Sequence, residues 1–410
     1  MQMAMTVGGC SAEDADLLRR AMGSKRGVER IESLRDRLFA GMRAGGIAQP
    51  DAERLYAQIE AFADFGFAES HSISFALLVY ASAWFKLHYP AAFLAGLLRS
   101  QPMGFYAPRT LVEDARRHGV RVLPPDVQRS AAVAGLERTQ DRHGPGLPSC
   151  LETEQPPAGP FDRHSPDTSA QHRRDGAFAV RLGLAEVRGM DAAGAERIVR
   201  AREQGPFASL ADLARRADLD RARLEALATA GACESLGIGR REALWDAAPA
   251  SGNRARFLPG IAVHVQPPLL PVLTEAEQTA LDLWSTGVVS GLHPFALMRD
   301  ALDAQGVTRS DRLARTAPGS SVRVAGLVTH RQRPSTAGGI TFMTLEDESG
   351  STNVVVWSDV WQRHRLVART APALLIGGTL ERSPDGVGNG IAGSFEPLPA
   401  PASVGSRDFQ

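Results

Sequence analysis

Lysine is nearly absent from this chain of 410 residues, in which only Lys25 and Lys86 stand among 46 basic residues. Acidic residues also number 46, so the formal net charge is zero and the chain as a whole does not attract polyanions. A basic surface for a phosphate-bearing ligand must therefore be local. Arginine suits such a surface because its planar guanidinium contacts two phosphate oxygens at once.

Cysteine is equally scarce, since the chain has only Cys10, Cys150 and Cys233, which lie far apart and form no CxxC pair. This spacing excludes a disulfide framework and favours a reducing compartment. The longest apolar run, "ISFALLVYASAWF" at 73–85, is too short to cross a bilayer, and no signal peptide is present. These features predict a cytoplasmic protein without a membrane partner.

Motifs of acid–base, nucleophilic or metal catalysis are also missing, because the chain contains no GxSxG, P-loop or HExxH pattern. His143, His164 and His172 are spaced too loosely, and lack the cysteine partners, to indicate a metal site. The acids of "LEDESG" at 345–350 fall between two predicted strands. We expect them to form a solvated hairpin turn.

The composition of the sequence and the spacing of its apolar residues divide it into five predicted segments: 1–130, 131–184, 183–250, 251–316 and 317–400. The first has apolar residues at helical spacing, and the second is a β-hairpin around a disordered insertion at 137–175, which is rich in proline, glycine and serine. Short helices with glycine-centred turns come third, and a proline-rich linker with further helices comes fourth. The last alternates over five short strands, as a closed OB barrel does. The predicted fold class is multidomain α+β.

The stretch "GLAEVRGMDAAGAERIVRAR" at 183–202 has an apolar–x–Gly–apolar turn between two predicted helices, which is the helix-hairpin-helix pattern. Gly189 lets the backbone come close to a ligand, and amides at the start of the next helix can face a DNA phosphate. We predict DNA binding without sequence preference by Arg188, Gly189 and Arg197. The alternative is an ordinary tight turn between two helices.

The predicted barrel offers a second surface for nucleic acid. Arg331 and Arg333 fall in the loop after its first strand, where they can contact the DNA backbone. Phe342 and Trp357 lie on the next strands, where OB proteins stack bases. The alternative for Phe342 is a filler of the barrel core.

Basic residues also cluster near the N-terminus, where "ADLLRRAMGSKR" at 15–26 places Arg19, Arg20 and Lys25 close to a predicted helix end. Each charge-assisted contact to a polyphosphate contributes about 1.5–3 kcal/mol, so the cluster suits a nucleotide triphosphate. The alternative is a solvated helix end.

Several stretches occur together in a recognisable order: "DADLLRRAMGSKR", "FADFGFAESHSISFALLVYASAWFKLHYPAAFLAGLL", "HGVRVLPPDV", "GLAEVRGM" and "LEALATAGACESLG". With the barrel strands after them, the chain resembles the C-terminal part of the bacterial C-family DNA polymerases, the alpha-subunit type of polymerase III. The stretch "SQPMGFYAPRTLVEDARRHGV" and the end of the chain soon after the barrel resemble the error-prone translesion paralogue.

The resemblance implies that 1–130 is a helical fingers region that lacks its N-terminal part. Arg19 and Arg20, with Lys25, would contact the triphosphate of the incoming nucleotide, and Ser70 and His71 of the "ESH" motif would face the same nucleotide. The helix at 73–88 is expected to be core that holds His71 in place.

The resemblance also implies a set of partners and one cofactor. The partners are primer–template and single-stranded DNA, deoxynucleotide triphosphates, and an accessory protein related to Y-family polymerases that links to the sliding clamp. In the parent enzyme Mg²⁺ is held by palm carboxylates, and this chain begins after the palm. We therefore expect it to bind no metal and to be inactive alone, within a protein for damage-induced DNA synthesis and mutagenesis.

Two alternatives stay open. One is a non-catalytic DNA-binding module left by loss of the palm. The other is a fragment of a replicative polymerase III alpha subunit, which would carry a sliding-clamp peptide before the barrel. The only candidate for that peptide is "QTALDLW" at 278–284, where Leu281 and Leu283 are expected to pack instead.

Overall fold

The computed structural model describes most of the chain: residues 5–21, 27–61, 69–104, 106–139, 172–252, 269–334, 337–383, 387–399 and 407–409. Most of the insertion expected at 137–175 lies outside these ranges, as do Lys25 and the linker residues 253–268. The chain divides into two compact units, Met1–Ala83 and Trp84–Gln410.

The first unit is helical. Its elements are α1 (Ala12–Ala21), α2 (Gly27–Glu32), α3 (Arg35–Ala44), α4 (Gln49–Ala61) and the first part of α5 (Glu69–His88). The Ser11 hydroxyl accepts a hydrogen bond from the Asp14 amide, which satisfies one free N–H at the start of α1. Leu18, Ile31 and Leu38 form the centre of its apolar core.

Helix α5 differs from the expectation that 73–88 is core. Ile73, Leu77, Val79 and Tyr80 are 65–74% exposed to solvent. A helix that is apolar on every side predicts burial, but its sequence does not say which element covers it. Among the described residues only the C-terminal end of α5 is covered, where His88 is buried. The prediction of a core helix is therefore wrong for most of its length in this chain.

The second unit begins with two helices on a small sheet. Helices α6 (Pro90–Arg99) and α7 (Pro108–Arg117) precede strands β1 (Val122–Leu123), β2 (Gly135–Arg138) and β3 (Phe178–Arg181). Strand β3 pairs antiparallel with β2 and parallel with β1. The antiparallel pair is the hairpin that the sequence predicts around the insertion.

A bundle of short helices follows the hairpin. It contains a 3₁₀ turn (Leu184–Glu186), α8 (Ala192–Arg202), α9 (Leu210–Arg216), α10 (Arg221–Thr229), a second 3₁₀ turn (Glu234–Leu236) and α11 (Arg240–Gly252). Asp191, Ser209 and Asp220 each accept an amide hydrogen bond at the N-terminus of a helix. These side-chain caps allow helices of seven to eleven residues to end and restart within one small core.

The segment before the barrel is also helical where it is described. It contains α12 (Glu275–Ser285), a 3₁₀ turn (Ala296–Met298), α13 (Arg299–Ala304) and α14 (Ser310–Leu313). Thr274 and Glu277 form a capping box, in which each side chain bonds to the backbone N–H of the other residue.

A closed five-stranded barrel of the OB type ends the unit, as the alternating pattern predicts. Its elements are β4 (Ser321–Gln332), β5 (Thr341–Glu346), β6 (Ser351–Val356), α15 (Ser358–Arg363), α16 (Arg365–Thr370), β7 (Ala373–Arg382) and β8 (Gly388–Pro397). The strand order is β5–β6–β8–β7–β4, and β4 also pairs with β5 and so closes the barrel. A further strand, β9 (Arg407–Phe409), pairs in parallel with the end of β4.

Strand β4 closes the barrel because it bends from one neighbour to the other. Its first half pairs with β7 and its second half pairs with β5, and the two sets of pairs meet at Leu327. Gly326 lies at this bend, and a Cβ atom there would stand 2.8 Å from the Glu346 backbone nitrogen. Only glycine permits so close an approach between β4 and β5.

The acids between β5 and β6 are not a solvated hairpin turn, so that expectation is wrong. Glu346 and Asp347 are buried. Asp347 accepts hydrogen bonds from the amides of Ser349, Gly350 and Ser310, at 2.8 to 2.9 Å. Glu348 pairs with Arg299 through two bonds of 2.7 and 2.9 Å. These carboxylates attach the barrel to α13 and α14, contacts between distant segments that a local pattern does not reveal.

Candidate nucleic-acid interface

The turn that precedes α8 has an exposed tip between two buried side chains. Gly189 has a φ of +93°, a conformation that side-chain-bearing residues rarely adopt. Val187 and Met190 on either side are buried, while Arg188 and Gly189 face solvent. The Arg188 amide donates to the Ser285 carbonyl at 2.7 Å, which holds the turn against the end of α12.

Arg188 is joined at this surface by an aromatic residue that the sequence pattern does not identify. Its guanidinium carbon lies 5.0 Å from the centroid of the Trp284 ring. This distance permits a cation–π interaction, and Trp284 is itself 45% exposed. The pair presents a positive charge beside a flat apolar surface. Residues Gln278 to Trp284, the candidate clamp peptide, belong to α12, in which Leu283 is buried.

The N-terminus of α8 already holds a carboxylate. Asp191 accepts the Gly194 amide at 3.0 Å and pairs with Arg223 through bonds of 3.2 and 3.3 Å. The hydrogen bond from Arg223 holds the pKa of Asp191 below its usual value. A DNA phosphate is therefore better placed on the Arg188 side of the turn than over the Asp191 side.

Arg197 has a different placement from Arg188. It is half-buried, and its Nε donates to the Ala217 carbonyl at 3.0 Å, at the C-terminal end of α9. Free carbonyls at a helix end need such donors. The geometry thus gives Arg197 a structural contact.

Arg331 is likewise built into the barrel. It is 6% exposed, and its guanidinium donates to the carbonyls of Ala368 and Ala371 at 2.8 and 2.5 Å. A third contact at 3.5 Å reaches Asp408 on the strand β9. These partners hold the guanidinium in place, and Arg331 also lines the cavity described below, so its contact with a DNA phosphate stays a prediction.

Arg333 does reach the surface, and two arginines that the sequence analysis missed lie beside it. Arg333 lies 5.9 Å from the Trp361 ring centroid. Together with Arg365 and Arg369 of α16, it lines a cavity of about 320 Å³. Arg365 and Arg369 are exposed and form no ion pair within the part of the chain that the structure describes. A short helix inside a barrel insertion gave no sequence signal for this arrangement.

The two barrel aromatics face solvent. Phe342 on β5 is 40% exposed while its neighbour Met343 is buried, in keeping with strand alternation. Trp357, directly before α15, is 49% exposed. Phe342 is therefore not a core filler. Both rings are accessible to a planar ligand.

The residues predicted for nucleotide binding are only partly described. Arg19 and Arg20 lie near the C-terminal end of α1, and Ser70 lies in the first turn of α5. His71 is exposed, with its ring centroid 4.4 Å from that of Phe75. Their roles stay predictions.

Metal ligands do not cluster in this structure: the described ranges contain no group of three His, Cys, Asp or Glu side chains that could hold a metal ion. The residues described thus do not fit a Mg²⁺ site, and we derive no step through a metal. Nor does any described helix have the length and apolarity needed to span a membrane.

Three parts of the chain match known families. Residues 1–46 match the finger domain of the bacterial DNA polymerase III alpha subunit. Residues 119–243 match a helix-hairpin-helix motif, and residues 322–396 match an OB-fold nucleic acid binding domain. Error-prone DNA polymerases match over the whole chain: the protein from Cutibacterium acnes is 52% identical, that from Mycobacterium tuberculosis 46% and that from Corynebacterium glutamicum 45%. Together these matches support a C-terminal part of a bacterial C-family DNA polymerase.

The chain covers 37%, 34% and 35% of those three relatives, so it spans about a third of the length of the curated proteins that it matches. Among solved structures, asparaginyl-tRNA synthetase from Pyrococcus horikoshii is 17% identical with a TM-score of 0.21. The match covers 23% of this chain and 22% of the synthetase, and it is too weak to support an argument.

Proposed function

We propose that this chain is the DNA-holding region of an error-prone polymerase. The helical hairpin binds the backbone of the primer–template, and the barrel binds the single-stranded template, during damage-induced synthesis. The observation that carries the proposal is a pair of exposed arginines, each beside an aromatic ring: Arg188 of the helix-hairpin-helix match lies beside the exposed Trp284, and Arg333 of the OB-fold match lies beside the buried Trp361.

Binding of this kind reads no sequence. Arginines at the backbone neutralise phosphates and release counterions, so affinity falls linearly with the logarithm of the salt concentration. The hairpin turn presents one such arginine, Arg188. The barrel presents three, Arg333, Arg365 and Arg369. Because the net charge of the chain is zero, these local surfaces carry the attraction.

Fluorescence anisotropy of the full chain with labelled DNA at several salt concentrations tests this proposal. Arg188→Ala should weaken duplex binding about equally for all sequences. The triple change of Arg333, Arg365 and Arg369 to Ala should reduce the slope for single-stranded DNA by about 2, since each lost phosphate contact removes about 0.7.

The matched control is Arg54→Ala, which removes an exposed arginine of the first unit and should leave both slopes unchanged. Variants that keep the wild-type slopes and affinities would remove these arginines from the DNA interface.

In this proposal the nucleotide and the metal are bound by different segments of the polymerase. Arg19, Arg20 and Lys25 contact the triphosphate of the incoming nucleotide, and Ser70 and His71 face it from α5. The carboxylates that hold catalytic Mg²⁺ lie outside these 410 residues, so the chain alone does not extend a primer. The resemblance of the fingers motifs supports these assignments.

The sliding clamp is reached through an accessory protein related to Y-family polymerases rather than through Gln278 to Trp284. Helix α12 supports this view, because Asp282 in that stretch is buried and pairs with Arg240 at 2.7 Å. A clamp peptide must leave the protein surface, and this one is part of a packed helix.

A further inference from the structure

A groove runs along the outer face of β5 and β6, and one of its walls comes from outside the barrel. Its volume is about 500 Å³. His330, Phe342, Asn353 and Asn389 line the barrel side, and Tyr106, two residues before α7, lines the other. The groove is thus composite, with parts from segments that are far apart in the chain.

The rings in this groove are arranged to receive a flat, apolar surface. Tyr106 is 51% exposed and Phe342 is 40% exposed. The Tyr106 and His330 rings lie 5.8 Å apart at 77°, nearly perpendicular to each other. Exposed aromatic faces of this kind stack on unpaired bases, whatever the base, because every base has a π-face.

Polar groups in the floor of the groove suit the edge of a base or a sugar. Asn353 on β6 and Asn389 on β8 are direct partners in the strand register. Each side-chain amide offers two N–H donors and one carbonyl acceptor, so together they match either polarity at a base edge. The aromatic and amide side chains that line the groove bear no fixed charge. The groove is therefore chemically different from the arginine-lined cavity around Trp361.

A buried contact between Arg109 and Glu346 joins β5 to the helix that follows Tyr106. Arg109, in the first turn of α7, is 6% exposed, and its Nε lies 3.5 Å from the Glu346 carboxylate on β5. This contact fixes the start of α7 against the barrel. Tyr106, three residues before Arg109, therefore lies next to an anchored helix end, which lowers the entropy lost when a ligand binds.

We propose that Tyr106 stacks on an unpaired base of single-stranded DNA that lies along β5 and β6. The proposal rests on the proposed function, in which the barrel binds the single-stranded template. It adds a base contact supplied by α7 and its loop, outside the barrel that carries the OB fold.

Anisotropy of the full chain with labelled oligothymidylate tests this contact. Tyr106→Ala should weaken binding roughly tenfold, and Tyr106→Phe, which keeps the ring, should stay within about twofold of wild type. Trp245→Ala is the matched control, because it removes an exposed ring on α11 and should have no effect. Thermal melting of each variant verifies that the fold is intact.

Two further readouts separate stacking from a merely structural role. The slope of affinity against salt should be the same for Tyr106→Ala and wild type, because no phosphate contact is lost. With an oligonucleotide of abasic sites, wild type and Tyr106→Ala should bind equally, since there is no base to stack. If Tyr106→Ala still binds that oligonucleotide tenfold more weakly than wild type, the stacking role is wrong.

The failure of this inference can be told from failure of the proposed function. If wild type does not bind oligothymidylate at all, both are overturned. If wild type binds and Tyr106→Ala binds equally well, the barrel keeps its role and Tyr106 loses its own.

Discussion

At the scale of one residue, Glu346 shows how strongly burial in this fold changes the pKa of a side chain. It is fully buried between β5 and α7, with the guanidinium of Arg109 at 3.5 Å and the Nε2 atom of His293 at 4.0 Å. Burial raises the pKa of Glu346 to about 7, against the opposing attraction of Arg109. Burial, helped by nearby arginines, lowers the pKa of His293 to about 3, so this imidazole is neutral at physiological pH.

The raised pKa predicts a stability that depends on pH. Because the folded-state pKa of Glu346 lies above its unfolded value of 4.5, the fold favours the protonated carboxyl. This contribution is complete below about pH 4.5 and is lost as the pH rises through about 7, at a cost of about 3 kcal/mol at most. Glu346→Gln should therefore flatten the fall in unfolding free energy between about pH 5 and about pH 8.

Urea unfolding at several pH values measures the effect. The control is Glu381→Gln, which changes an exposed glutamate of the same barrel and should keep the wild-type pH profile. A Glu346→Gln profile parallel to that of wild type would show that this carboxyl does not titrate differently on folding.

Whether an individual side chain is buried or exposed is the property that the sequence predicts least well. Arg331 and Arg333 look alike in "THRQRPS", yet one is buried under α16 and the other reaches solvent. Tyr106 lies in a stretch that indicated only a family resemblance, and Trp284 lies in one that indicated only a clamp peptide, so neither ring was expected at a nucleic-acid surface. What decides each case is a contact with a segment distant in sequence, which a local pattern does not contain.

Helix α5 is the clearest case at the scale of an element. The sequence correctly predicts a long helix, since apolar and alanine residues fill 73–85 except at Ser74 and Ser82 and no glycine or proline interrupts them. Burial is a different property, because it depends on the surface that a neighbour supplies. By contrast, the five barrel strands could be predicted, because their alternation records both the solvent and the core face of each strand.

The exposed face of α5 predicts that polar substitutions there are harmless to the fold. Leu77→Gln with Tyr80→Gln should change the unfolding free energy by less than about 0.5 kcal/mol, because both side chains already face water. The same change should reduce binding of a hydrophobic dye and self-association, measured by size-exclusion chromatography.

A buried residue of the same unit provides the comparison for α5. Leu38→Ala removes a side chain that is fully buried and should cost about 2–5 kcal/mol. If the double change in α5 destabilises the chain as much as Leu38→Ala does, the helix is packed in solution.

At the scale of the whole molecule, the proposed function combines modules that hold DNA with fingers residues that we propose contact the nucleotide. We expect no primer extension by the purified chain with Mg²⁺ and all four nucleotides, because the carboxylates that would hold the catalytic metal are proposed to lie in another segment. Extension should appear when the palm segment of an error-prone relative is fused to the chain. In that fusion Arg20→Ala should lower kcat/KM for the nucleotide about tenfold or more and leave DNA affinity unchanged.

Each result of this assay has a clear meaning. Templated extension by the 410 residues alone would overturn the assignment of the catalytic carboxylates to another segment. An active fusion in which Arg19→Ala and Arg20→Ala each leave the kinetics untouched would remove these arginines from the nucleotide site.

The Arg109–Glu346 contact has a consequence for how such barrels can be exchanged between proteins. An OB barrel is commonly thought of as an autonomous cassette that recombination can move. This one carries on its wall an acid whose partner is encoded far upstream, in α7. A barrel transplanted without that helix would present a bare carboxylate to its new host, so inheritance should keep the two segments together.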